Sequence, residues 1–196
     1  MDPLLLGTAS AFGLAAAAGL NTTLPLLIVG LLARFGLLTL APPFDALSGD
    51  VVLGGLVLLA GLEIVGDKVP GADSVVQLLQ WPLAAAAGAI LFASQTSVVS
   101  WVSPQLAILV GLLTAGAVHG ARTALRPVIT GATVGLGNPV QSFGEDVYAA
   151  TLAGTAVLFP LLGLLLLLAL AGAAVFAAYW TWRLGGRLWR RVAAVH

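Results

Sequence analysis

Cysteine is absent from all 196 residues. Disulfides, thiolate nucleophiles and zinc-thiolate centres are therefore excluded, and composition gives no clue to the redox compartment. Charge is nearly as scarce, since Asp, Glu, Lys and Arg make up 8% of the chain, against about a quarter in ordinary soluble domains. Eight basic and eight acidic side chains cancel, so nothing in the global balance points to nucleic acid or to an acidic macromolecule. Two histidines stand far apart in the chain, His119 and His196, so a His-x-x-x-His metal pair is lacking. An enzyme is the least expected class, no cofactor is implied, and the sequence leaves a metal site undefined. Met-Asp-Pro-Leu-Leu-Leu at the N-terminus lacks the basic flank of a cleavable signal peptide, so the first apolar run is expected to stay as a span.

What the chain does have is apolar surface: 60% hydrophobic residues and a mean hydropathy of +1.07. So few charges cannot coat a soluble domain of this size, whereas lipid demands no such coat. A spanning helix needs about 20 mostly apolar residues. Seven stretches approach that length: 3–20, 24–41, 51–66, 75–94, 104–121, 146–160 and 161–182. The first reads either as separate from the second or as one interrupted span, and the sixth is short. The expected fold is all-α, a polytopic transmembrane helical bundle of six or seven segments, some broken or re-entrant. Residues 1–196 are read as one integral membrane domain of the cell membrane, with 183–196 a basic, Trp-containing cytoplasmic tail.

The breaks carry their own chemistry. Asn21-Thr22-Thr23-Leu24-Pro25 offers amide or hydroxyl N-caps and then a proline in the first turn, where its missing N–H does no harm. Residues 41–50 read as an exposed loop and Val69-Pro70-Gly71 as a turn. The stretch 127–145, rich in Gly, Pro, Thr and Asn, reads as less than a full span; a re-entrant loop is tolerable there only under a cover of protein or cavity water. Arg183, Arg187, Arg190 and Arg191, beside Trp180, Trp182 and Trp189, mark an interfacial, cytoplasmic C-terminus, and Arg34 departs from that pattern. Small residues at four-residue spacing (Ala9, Gly13, Ala17; Gly111, Ala115, His119; Gly116, Gly120) suit close helix approach in lipid, and a homo-oligomer is compatible with them.

The polar residues divide by how easily local structure accounts for them. Ser142-Phe143-Gly144-Glu145 fits a capping box, Asp73 an N-cap, and Asp45 and Asp50 a helix start. Glu63 and Asp67 are harder to explain. At i and i+4 they share a helical face and repel, and an acid at a bilayer centre costs roughly 2.5–3.5 kcal/mol on insertion scales. Lys68, Arg122, Arg126, a proton or a bound cation would each relieve them. From residue 63 to 146 five acids (Glu63, Asp67, Asp73, Glu145, Asp146) face three bases (Lys68, Arg122, Arg126), a balance of minus two. Such a set is either one charged cluster or a series of solvated helix ends. His119, one turn before Arg122 in an otherwise uncharged span, is an intramembrane ionisable group and so a functional candidate. Free N–H groups at Asn21, Thr22 and Thr23 favour an anion, Asn138 and Gln141 are candidates to line the same cavity, and Ser142 is a further polar residue at a helix break.

"GLNTTLPLLIVGLLARFG" at 19–36, "LEIVGDKVPGADSV" at 62–75, "WPLAAAAGAILF" at 81–92, "HGARTALRP" at 119–127 and "GNPVQSFGEDV" at 137–147 resemble the successive blocks of an uncharacterised prokaryotic membrane protein family, domain of unknown function family 4126. The resemblance brings no activity. It implies that Glu63, Asp67, Lys68, Pro70, Asp73, Ser142, Glu145 and Asp146 are family hallmarks, and that an arginine often stands where this chain has Asn21. From the residues, the leading expectation is a small transporter or channel-like protein binding a cation or proton at Glu63 and Asp67. Its alternatives are an anionic-lipid or lipid-carrier phosphate binder or flippase using Lys68, Arg122, Arg126 and the helix start after Asn21, and a non-transporting assembly subunit.

Overall fold

Asp2 and Pro3 start the first helix: the Asp2 carboxylate accepts a hydrogen bond from the Leu4 N–H at 2.9 Å, and proline occupies the first turn. In the computed structural model residues 2–66, 73–133 and 137–193 are described, and apart from turns and one isolated bridge they are helical. The helices are α1 (Pro3–Leu20), α2 (Thr23–Arg34), α3 (Asp50–Gly66), α4 (Asp73–Ala93), α5 (Thr96–Val99), α6 (Pro104–Thr133), α7 (Asn138–Leu158) and α8 (Pro160–Ala193), with a short 3-10 turn at Phe44–Ser48. The expected all-α class holds, and each of the seven apolar stretches contains a helix.

Their limits differ from expectation in physically readable ways. The second stretch stops at Arg34, because Gly36 with φ 71° turns the chain out of the helix. Residues 127–133, expected in a weak or re-entrant segment, continue α6 straight through Pro127, and α7 begins already at Asn138. Proline is tolerated inside such helices when other groups take up the freed backbone positions. Elsewhere along α6 the Thr123 and Thr133 hydroxyls donate to the His119 and Ile129 carbonyls of the preceding turn. The last helix carries on through the arginine-rich segment to Ala193. Arg34, the topological outlier, forms an ion pair with Asp50.

α1 is the centre of the bundle and packs against α4, α6, α7 and α8. Its side chains from Ala9 onward are nearly all buried, and most of them are alanine or glycine. α4 runs antiparallel to it, with Phe12 edge-on to Phe92 at 5.0 Å. α2 leads back toward the end where α1 began, since Leu40 bridges to Gln95 and Gly7 abuts Ser97. α3 then returns, from Leu53 beside Gly30 to Glu63 beside Thr22. α6, α1 and α7 thus bring residues 119–126, 20–23 and 141–146 to one level.

Small residues set the helix spacing. A methyl group on Gly88 of α4 would sit 2.3 Å from the Ala115 Cβ and 2.8 Å from the Gly111 carbonyl oxygen of α6. Gly13 meets Ala156 and Gly19 meets Ala115 just as closely, whereas Gly116 and Gly120 face open space or a distant Trp81. Two of the three small-residue rows therefore pack helices and the third does not. Gly88→Val is expected to destabilise the protein by about 1–3 kcal/mol or more through overpacking, while Gly120→Ala leaves stability unchanged or slightly raised. Thermal unfolding of both variants in detergent checks the pair.

Among the described residues three helices are long and apolar enough to cross a membrane by length and composition: Pro3–Leu20, Pro104–Gly131 and Pro160–Arg183. Thr23–Arg34 and Gln80–Ala93 are apolar but shorter. Leu165, Leu168, Val175 and Phe176 on α8 are exposed, as are Leu58 and Leu62 on α3. Outward-facing apolar surface on this scale suits lipid rather than water.

Candidate functional site

The break between α1 and α2 leaves the last carbonyls of one helix and the first N–H groups of the next without helical partners. Two other helices and the linking Asn21 supply them. Arg122 of α6 donates from Nη1 to the Leu20 carbonyl at 2.5 Å, placing a cation at the negative end of α1. Glu63 of α3 accepts from the Thr22 N–H at 3.0 Å, from the Thr23 N–H at 3.1 Å and from the Thr23 hydroxyl at 2.5 Å. A carboxylate thus sits at the positive end of α2. Asn21, only 1% exposed, joins the two: its Oδ1 accepts from the Thr23 and Leu24 N–H groups at 3.1 and 2.8 Å, and its Nδ2 donates to Asp146 of α7 at 3.0 Å.

Behind Leu20 lies a second set of charges. Arg122 Nε meets Glu145 Oε2 at 2.6 Å, with side chains 4% and 13% exposed, and Arg126 reaches the same oxygen at 3.7 Å. Gln141, one turn before Glu145, donates to its other oxygen at 2.7 Å. Bonds between ionised partners are roughly twice as strong as neutral ones. At this burial they lock α6 onto α7 and both onto the end of α1. His119 and Ser142 are buried in the same layer, on α6 and α7.

Two cavities flank this layer. One, of about 400 Å³, is walled by leucines and alanines of α2, α3 and α4, with Thr22, Thr23, Glu63 and Gln80 as its polar groups. The other, of about 520 Å³, lies between α6, α7 and α8 and carries Arg122, Gln141 and Glu145 on a wall otherwise apolar. Its α8 side runs from Leu167 to Ala177, the middle of the Pro160–Arg183 apolar stretch.

Several sequence expectations are corrected by this geometry. Ser142 and Glu145 do not form a capping box, because α7 starts at Asn138 and both lie inside it. Glu145 is a partner of Arg122 instead. The helix start after Asn21 is not open to an external anion, because Glu63 holds its N–H groups. Asn138 accepts from the Thr130 hydroxyl at the α6–α7 corner and lines neither cavity. Asp67 and Lys68 lie outside the described residues. Asp73 is the first residue of α4, and its side chain is likewise outside them. Gln80, buried beside Glu63, was missed: a single amide in "QLLQWPLAAAAG" looks like any helix-surface residue until the cavity places it.

Glu63, Glu145 and Asp146 therefore gather with Arg122 and Arg126 around one break, on two faces of it. Among the described side chains of this layer three carboxylates stand with two guanidiniums, and His119 is buried beside them. Among the described residues no group of three His, Asp or Glu is arranged to hold a metal ion.

No curated protein and no solved structure matches the chain. One family profile does, over residues 8–180, which takes in every helix that contributes to the break and both cavities. The chain belongs to the family described as Domain of unknown function (DUF4126).

Proposed function

We propose that this protein is a small membrane transporter or channel-like protein in which Glu63 binds a proton or cation in competition with the start of α2. The observation that supports the reading is that, among the described side chains of this layer, carboxylates outnumber guanidiniums, with Glu63 on a cavity wall rather than sealed in the core. A buried layer in lipid favours neutrality, so a mobile positive charge is the natural complement. Taking up that charge weakens the grip of Glu63 on the Thr22 and Thr23 N–H groups, which links ion binding to the geometry of a broken helix. Ion sites of membrane carriers are commonly built at such breaks. Depth supports the same reading: Arg122 and Glu145 share a cavity with α8 residues about 16 Å along from Pro160, near the centre of a hydrocarbon layer about 30 Å thick. With the C-terminal arginines on the cytoplasmic side, the α1–α2 tip is then met partway across the membrane.

Purified protein in liposomes is expected to dissipate an imposed proton or monovalent-cation gradient, followed with an internal pH dye or a cation-selective electrode. Glu63→Gln should slow that flux at least tenfold. It keeps a side chain able to accept from Thr22 and Thr23 but removes the charge. Flux equal to protein-free liposomes, or equal flux in the variant, removes ion transport through Glu63 from consideration.

A further inference from the structure

We infer that the cavity between α2, α3 and α4 binds an amphiphilic amine, its ammonium group against Glu63 and its apolar body along the leucines; this rests on Glu63 being the group that takes up positive charge. A carboxylate offers about four acceptor positions. α2 fills three of them: Glu63 Oε1 accepts from the Thr22 N–H, and Oε2 from the N–H and the hydroxyl of Thr23. The position left over is on Oε1. Thr22, Thr23 and Glu63 all line the cavity, and Glu63 is partly exposed, so the carboxylate stands at the wall. The groups that hold it are uncharged, and among the described lining residues no other side chain carries a charge.

One open position on one carboxylate selects the kind of cation. Calcium and magnesium ions take about six or more oxygen ligands, and besides Glu63 the described wall has Thr22, Thr23 and Gln80 as its polar side chains. Water finds few partners on a wall of Leu26, Leu56, Leu59, Leu62, Leu83 and Ile90, so a hydrated ion fits no better. An ammonium needs a single charge-assisted N–H···O bond from Glu63 and brings its own apolar body to the leucines. At about 400 Å³ the space lies at the lower end of small-molecule sites, which suits one short chain or ring. Leu59, Leu62 and Leu83 line the cavity and are also exposed on the outside of α3 and α4, so a ligand dissolved in the bilayer reaches it sideways. A head that also carries phosphate is disfavoured, because its negative charge would lie beside that of Glu63.

The test uses the full-length protein in nanodiscs with a photoactivatable decylammonium, and the photoactivatable alcohol of the same chain in parallel. The amine is expected to label peptides 56–63 and 83–90, competed by unlabelled decylammonium and at least fivefold above the alcohol. Glu63→Gln removes the charge, and Ala86→Phe fills the cavity from an exposed position on α4. Each should reduce labelling at least fivefold while the protein elutes as the wild type does. Undiminished labelling in either variant, the alcohol labelling as strongly, or label spread evenly over all exposed helices overturns the proposal. Should Glu63→Gln fail to elute normally, Ala86→Phe and the alcohol decide. Ion flux that depends on Glu63 without amine labelling removes the amine site alone, whereas amine labelling without flux removes transport and leaves the site standing.

Discussion

Arg122→Leu is expected to lower the unfolding free energy by about 3–5 kcal/mol, the cost of breaking a buried ion pair from one side. Glu145 would be left in a layer where its carboxylate keeps only the Gln141 amide and a distant Arg126, and the Leu20 carbonyl would lose its donor. Thermal unfolding in a mild detergent, with size-exclusion elution as a second readout, measures this. The double variant Arg122→Leu, Glu145→Leu discriminates pairing from general damage. It should be less harmful than the two single losses added together, by about 0.5–3 kcal/mol, because the second change removes the orphaned charge. Strictly additive losses would mean that the two side chains do not act as a pair.

A second large effect is expected at Asn21, where one amide serves three bonds. Asn21→Leu removes the acceptor for the Thr23 and Leu24 N–H groups, a cap loss of about 0.5–2 kcal/mol. It also strips Asp146, 6% exposed, of a donor, at about 1–3 kcal/mol. The sum, about 1.5–5 kcal/mol, should appear as a lowered melting temperature and as faster proteolysis at residues 20–24. Asn21→Asp should be nearly as harmful, since it restores the cap but sets a second carboxylate against Asp146. If Asn21→Asp melts with the wild type, Asp146 is not held by this residue.

The helices were legible in the sequence because apolar length alone specifies them, and the Asn-Thr-Thr-Leu-Pro break was legible because its capping chemistry is local. What surrounds that break was not. Glu63 was recognised as an acid in need of compensation, and among the described residues its partners are the Thr22 and Thr23 N–H groups and the Thr23 hydroxyl, 40 and 41 positions earlier. Hydropathy scores side chains and has no sight of peptide groups freed at a helix end. The capping-box reading of Ser142 and Glu145 failed for a related reason: the spacing fits a helix start, but the Gly137-Asn138-Pro139 corner just upstream starts the helix first. Arg122 and Glu145, 23 positions apart, meet because α6 runs on to Thr133 and α7 starts at Asn138, both within a Gly- and Thr-rich stretch that reads in sequence as less than a span.

The contact of α4 with α6 at Gly88 and Gly111 also governs where the molecule is able to change shape. With main chain pressed against main chain there are no rotamers to exchange, so α1, α4 and α6 form a rigid post. On the outer helices Gly54, Gly55 and Gly61 of α3 and Gly172 of α8 meet nothing within 4 Å, although Gly163 holds the start of α8 against the Ala156 backbone of α7. Those two outer helices also border the cavities, α3 the one beside Glu63 and α8 the one beside Arg122.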